Sequence, residues 1–146
     1  MRTFLLILTL FTFTACGDSH RVNDPGSLTR NEEATADCKM HLKTENLCLK
    51  ATWDSMPTES TFGSMTLTFT DKNTPERIIS PRHEPSMLLW MPSMGHGSSP
   101  VTITLIEDGI YKANDIFFIM PGPWEIRYQL KDGDKVVEEI IQEITI

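Results

Sequence analysis

The strongest constraint on the fold of this chain is a side-chain period of two that recurs from residue 47 to near the end. In "LCLKATW" Leu47, Leu49, Ala51 and Trp53 fall on one side, and in "SMTLTFT" Met65, Leu67 and Phe69 alternate with threonines. The stretch "VTITLI" sets Val101, Ile103 and Leu105 against threonine, and "WEIRYQL" sets Trp124, Ile126, Tyr128 and Leu130 against Glu125, Arg127 and Gln129. Successive side chains of a strand point to opposite faces, so each run predicts a strand with one buried and one wet face. Asp108-Gly109 and Asp132-Gly133 are hairpin signals between such runs. "IFFIM", residues 116–120, is apolar on both faces and predicts a central strand.

The final segment, "KVVEEIIQEITI", also fits a helical period through Val136, Val137, Ile140, Ile141 and Ile144. Its β-branched content and the preceding Asp-Gly turn favour a strand with a bulge. The expectation is an all-β chain, an antiparallel immunoglobulin-like β-sandwich of about seven strands, with no internal repeat. Its expected core holds Leu49, Trp53, Leu67, Phe69, Leu89, Ile103, Leu105, Phe117, Ile126 and Tyr128. Such a fold assigns no function by itself.

The chain begins "MRTFLLILTLFTFTA": one cation, Arg2, then an apolar run ending in small residues before Cys16. From Thr3 to Ala15 the run falls short of the roughly 20 residues of a membrane span, so residues 1–15 read as a cleaved signal peptide. "FTAC" resembles the lipobox of bacterial lipoproteins, which makes Cys16 the acylated first residue of the mature chain. Phe13 stands where that motif usually has leucine. Gly17, rather than aspartate, predicts outer-membrane sorting where the envelope has two membranes. Residues 17–36, poor in large apolar side chains, read as a flexible tether carrying His20, so 16–36 is a lipidated cysteine and linker and 37–146 the domain. The protein is thus expected on the periplasmic side of a bacterial membrane, touching it only through the lipid anchor.

The formal net charge is −7, and loss of residues 1–15 makes the chain one charge more negative. That balance supplies no basic patch for nucleic acid and is weakly favourable for a cation partner. Cys38 and Cys48 remain after Cys16, and in an exported protein they predict a disulfide closing a short loop. A metal site from Cys38, His41 and Cys48 is the competing reading, although it lacks a tight Cys-x-x-Cys pair and a fourth ligand.

The chemistry-bearing stretch is "MLLWMPSMGHGSSP", residues 87–100, with Met87, Met91, Met94 and His96 within ten positions. It lacks the Gly-x-Ser-x-Gly elbow, and the chain carries neither a His-Glu-x-x-His helix nor a phosphate-cradling glycine loop, so no enzyme is expected. Thioether sulfur is a soft neutral donor suited to Cu(I), and imidazole suits either copper oxidation state. As a strand, 87–91 points Met87, Leu89 and Met91 one way; Pro92 ends it, and in an extended continuation Met94 and His96 share a side. Methionine is also the common gap-filler of irregular cores, and composition does not choose between the two roles. His83 and Met120 are the candidates to complete a site built on Met91, Met94 and His96.

Residues 90–130 resemble the YtkA-like family and its FixH-like relatives. The resemblance rests on Met91-Pro92, Met94, His96-Gly97, Gly109 with Tyr111, and Met120-Pro121-Gly122 with Trp124. It implies a small extracytoplasmic β-sandwich, similar in architecture to CopC-like copper carriers and associated with copper handling and respiratory oxidase assembly. Copper, preferably Cu(I), is then the expected ligand at Met91, Met94 and His96, and an envelope copper acceptor the expected partner. The alternative is a non-metal β-sandwich interaction module of the cell envelope. FixH-like proteins carry a transmembrane helix, which this lipoprotein-like chain lacks beyond its leader.

Overall fold

The computed structural model describes residues 38–146; the expected signal peptide, Cys16 and the expected tether with His20 lie outside them. Nine antiparallel strands form two sheets: β1 (Met40–Leu42), β2 (Leu47–Ser55), β3 (Gly63–Asp71), β4 (Glu84–Met91), β5 (His96–Gly97), β6 (Thr102–Glu107), β7 (Ile110–Ile116), β8 (Pro123–Asp132) and β9 (Lys135–Thr145). One sheet runs β1-β2-β3-β7-β6 and the other β5-β4-β8-β9. Apart from β1, this is the immunoglobulin order, A-B-E-D packed on C-F-G, with β5 as the extra strand beside C. Six of the seven long strands, β2, β3, β4, β6, β8 and β9, contain the runs read as strands from the sequence; β7, Ile110–Ile116, lies ahead of the "IFFIM" stretch where a strand is expected. The two additional ones, β1 and β5, have three and two residues, too few for a period to show. Among the described residues no helix is long and apolar enough to cross a membrane.

The alternation becomes the core directly. Leu49, Met65, Leu67, Phe69, Met87, Leu89, Met91, Trp124, Ile126, Tyr128 and Leu130 are all buried between the sheets. Phe69 meets Tyr111 edge-on, and Tyr128, on the opposite sheet, brings its hydroxyl to Gln142 (2.8 Å) and toward the Met65 sulfur (4.0 Å). Burial pushes the Tyr128 phenol well above its ordinary range.

The last segment is a strand. β8 pairs with β9 from Pro123↔Thr145 to Asp132↔Lys135, with a register shift where Leu130 faces Glu138 and Lys131 faces Val136. That bulge places Val137, Ile140 and Ile144 against the core and leaves Val136 and Ile141 exposed, which is why five apolar residues on two faces imitate a helical stripe. The turn beside it is Gly133-Asp134, one residue later than the Asp-Gly pair suggests.

Two expectations are corrected. Leu105 is 56 % exposed. It lies on edge strand β6, and β5, the edge of the facing sheet, is only two residues long, so no second layer covers it. Phe117 begins an irregular segment instead of a central strand: β7 ends at Ile116, and Phe118 is the aromatic that enters the core, against Trp124.

Two devices secure the end of the sandwich where the chain enters. Cys38 and Cys48 are joined by a disulfide with a Cα–Cα separation of 5.4 Å, tying the start of the domain to β2. The β1–β2 turn is held to both neighbouring elements of the other sheet. Lys43 and Thr44 N–H groups donate to Glu138 on β9, and the Glu45 carboxylate accepts from the N–H groups of Arg82 (2.6 Å) and His83 (3.0 Å) and from His83 Nδ1 (2.6 Å). The Glu45 side chain is only 3 % exposed. Burial raises the pKa of this carboxyl, but the Arg82 N–H and the His83 imidazole, N–H and charge together outweigh it and hold the group below its ordinary value.

A carboxylate with a lowered folded-state pKa contributes stability that is present above its unfolded value and lost as pH falls through the folded one. The contribution of Glu45 is therefore expected to fade as pH drops from the ordinary glutamate range down through the lower folded-state value. Glu45→Gln should lower stability at neutral pH by about 2 kcal/mol and flatten that acid limb, as read by denaturant titrations at several pH values. Alkylation of the purified protein without reductant should find neither Cys38 nor Cys48 free; labelling of both would reject the bridge.

Candidate metal centre

The turn joining β4 to β5 carries the sequence-predicted site. Met91 pairs directly with His96, and Trp90 with Gly97, leaving Pro92 to Gly95 as the loop. Met94 and Gly95 N–H groups both donate to the Met91 carbonyl (3.2 and 3.0 Å). Pro92 sits where a type I turn favours a preset φ, and Gly95 closes the loop at φ +67°, a left-handed conformation that costs an ordinary residue. Beyond Pro92 the segment is therefore a tight turn, in which Met94 and His96 do not alternate along one strand face as they would in an extended continuation.

The turn sorts the three expected ligands by environment. Met91 is 2 % exposed and extends its inward row with Met87 and Leu89; its methyl carbon lies 3.2 Å from where a Cβ on Gly122 would be. Met94 is at the tip, 57 % exposed. His96 is half-buried and, as the cross-strand partner of Met91, stands on the same face of the sheet. Its Nδ1 lies 3.2 Å from the Gly97 carbonyl oxygen, which can only accept. Nδ1 therefore carries the proton in the neutral ring, and the Nε2 lone pair is left for a ligand.

Gly97 lets the hairpin close. A Cβ there would stand 2.9 Å from the Leu89 carbonyl oxygen, while the outward side chains of Leu88 and Trp90 lie over the space it leaves. Arg127 in turn stacks on Trp90 at 5.4 Å and pairs with Glu125 at 2.6 Å. Ser98, just beyond, donates its N–H to Leu89 O (3.1 Å) and its hydroxyl to Phe117 O, which ties the turn to the 117–122 segment.

Met120 belongs to that segment, at the same end of the sandwich, half-buried, with its carbonyl accepting Trp124 Nε1–H at 3.0 Å. His83 does not belong there. It precedes β4 while the turn follows it, an eight-residue strand away, on the order of 25 Å, and its Nδ1 is engaged by Glu45. The Glu45–His83 contact spans 38 positions and has no local sequence signal. The alternative site at Cys38, His41 and Cys48 has no thiolate to offer, because both cysteines are in the disulfide. Among the described residues no group of three or more His, Cys, Asp or Glu side chains is placed to hold a metal ion. No family model, curated protein or solved structure matches the chain.

Gly97→Ala must push Cβ against a backbone oxygen, and Gly95→Ala must keep a left-handed φ with open space around it. The first is expected to disrupt the β4–β5 pairing, seen as loss of hydrogen-exchange protection at Ser98. The second should leave the pairing intact and cost about 1 to 2 kcal/mol in denaturant titration.

Proposed function

We propose that this is a copper-binding protein of the bacterial cell envelope, tethered by a lipid on Cys16, which buffers Cu(I) or passes it to an envelope acceptor protein. The observation that carries the reading is the His96 ring, whose Nδ1 is committed to the Gly97 carbonyl while Nε2 keeps its lone pair, on the turn that exposes the Met94 thioether. Histidine ligands are typically held in this way by a second-shell acceptor. Met91, directly across the pair from His96, is the third donor, supplied from the core side.

The donor set suits the task. Two thioethers and an imidazole are soft to borderline and neutral, so they favour Cu(I) over harder ions. With no thiolate among them the ion is held without a strong charge partner, which suits release to an acceptor. The resemblance of residues 90–130 to the YtkA-like family supports the same conclusion. The other reading, a non-metal interaction module, draws on the burial of Met91, which the core would require with or without an ion.

Competition titrations on the purified protein should show one Cu(I) bound and much weaker Zn(II) binding. Met94→Ala should lower Cu(I) affinity by about ten- to a hundredfold, the scale of losing a metal-site contact, while changing stability by no more than about 0.5 kcal/mol. Met91→Ala should cost about 2 to 5 kcal/mol of stability through the cavity it leaves. Unchanged Cu(I) affinity in both Met94→Ala and His96→Ala would defeat the proposal.

A further inference from the structure

The ligand turn shares its end of the sandwich with a cavity of about 590 Å³, within the roughly 300–1,000 Å³ range of small-molecule sites. One wall is the β2–β3 connection through Pro57, Thr58 and Glu59. The other is the segment after β7, through Phe117, Ile119 and Met120, closed by Ile146.

Both walls are fixed independently of any occupant. Thr58 and Thr61 form a self-contained knuckle: Thr58 N–H donates to Thr61 O (3.0 Å), the two hydroxyls meet at 2.7 Å, and Thr61 N–H donates to the Thr58 hydroxyl (3.1 Å). Pro57 sits back on β3 only because residue 63 is glycine, where a Cβ would lie 2.6 Å from Pro57 Cδ. Opposite, Trp124 Nε1–H holds Met120 O, Ser98 holds Phe117 O, and Gly122 and Ile146 exchange two backbone hydrogen bonds of 3.0 Å. Among the described residues one aromatic contact, Phe62 on Phe117 at 5.4 Å, bridges the walls beside the open space. Ile119 and Ile146 are left 46 % and 40 % exposed. The lining is mainly apolar, and a preformed cavity binds an apolar body without an ordering cost in its walls.

The charge at the mouth selects the ligand further. Neither 56–62 nor 117–123 contains a lysine or arginine, and the one ionisable side chain in them is Glu59. That carboxylate has no ion pair among the described residues. We propose that this cavity is a binding site for a small amphiphile with an apolar body, seated against Ile119 and Met120, and one cationic group facing Glu59. The site is separate from the metal ligands, and its test is indifferent to copper.

The test titrates the metal-free full chain with 4-phenylbutylamine, 4-phenylbutanol and 4-phenylbutanoate, which share an apolar body and differ in charge, while following the methyl resonances of Ile119, Met120 and Ile146. Saturable shifts are expected in the order amine, alcohol, carboxylate. Glu59→Gln should weaken the amine about two- to fivefold, as for an exposed charge pair, and leave the alcohol unchanged. Ile119→Asn, at a solvent-exposed position, should weaken all three. Absence of saturable shifts at these methyls with every probe, or the carboxylate binding as tightly as the amine, would overturn the proposal.

Discussion

The unbroken pairing of β4 with β8 is the constraint on which the rest of the molecule depends. Seven residue pairs, from Glu84↔Lys131 to Trp90↔Glu125, run without a register shift. They set Met87 beside Tyr128 and Leu89 beside Ile126 on the inner face, where β3 of the other sheet presents Met65, Leu67 and Phe69. A slip by one residue would carry every one of these side chains to the solvent face, so apolar burial locks the register. β4 also delivers both ends of the molecule: His83 to Glu45 where it starts, and the methionine–histidine turn where it stops.

The two ends are built from different chemistry. At the start of β4 a buried carboxylate accepts three N–H groups from Arg82 and His83, and the neighbouring disulfide constrains the entering chain. This end is polar and cross-linked. At the far end the turn and the 117–122 segment are held largely by backbone hydrogen bonds, with the side chains of Met94 and Ile119 directed to solvent. A scaffold fixed through its main chain leaves these side chains free of structural contacts, which is the condition that the proposed copper site places on it.

The separation also explains why stability and binding should respond to different substitutions. Met91 and Met94 are three positions apart and chemically identical, yet one is core and one is tip. The difference comes from the turn: the last β4 side chain is turned inward by the strand's alternation, and the chain then reverses over Pro92 to Gly95, outside either layer.

Much of the fold was legible in the chain alone, because period two, Asp-Gly pairs and a cysteine pair at short spacing behind a leader-like apolar run are local signals with local physical causes. They specified six of the seven long strands, the buried face of most of them, the hairpins at 108–109 and near 133, the disulfide, and the residues of the methionine–histidine turn. What they could not specify depends on which layer lies over which strand. Alternation marks Leu105 as one face of β6, but only the shortness of β5 on the opposing sheet leaves that face uncovered. "IFFIM" is apolar throughout, and the end of β7 at Ile116 decides that Phe118 enters the core while Ile119 lines a cavity. The meeting of Glu45 with His83, and of the 56–62 loop with residues 117–121, joins segments far apart in the chain. Such contacts are set by topology, since a side chain's period fixes its direction from the backbone and leaves open what stands opposite.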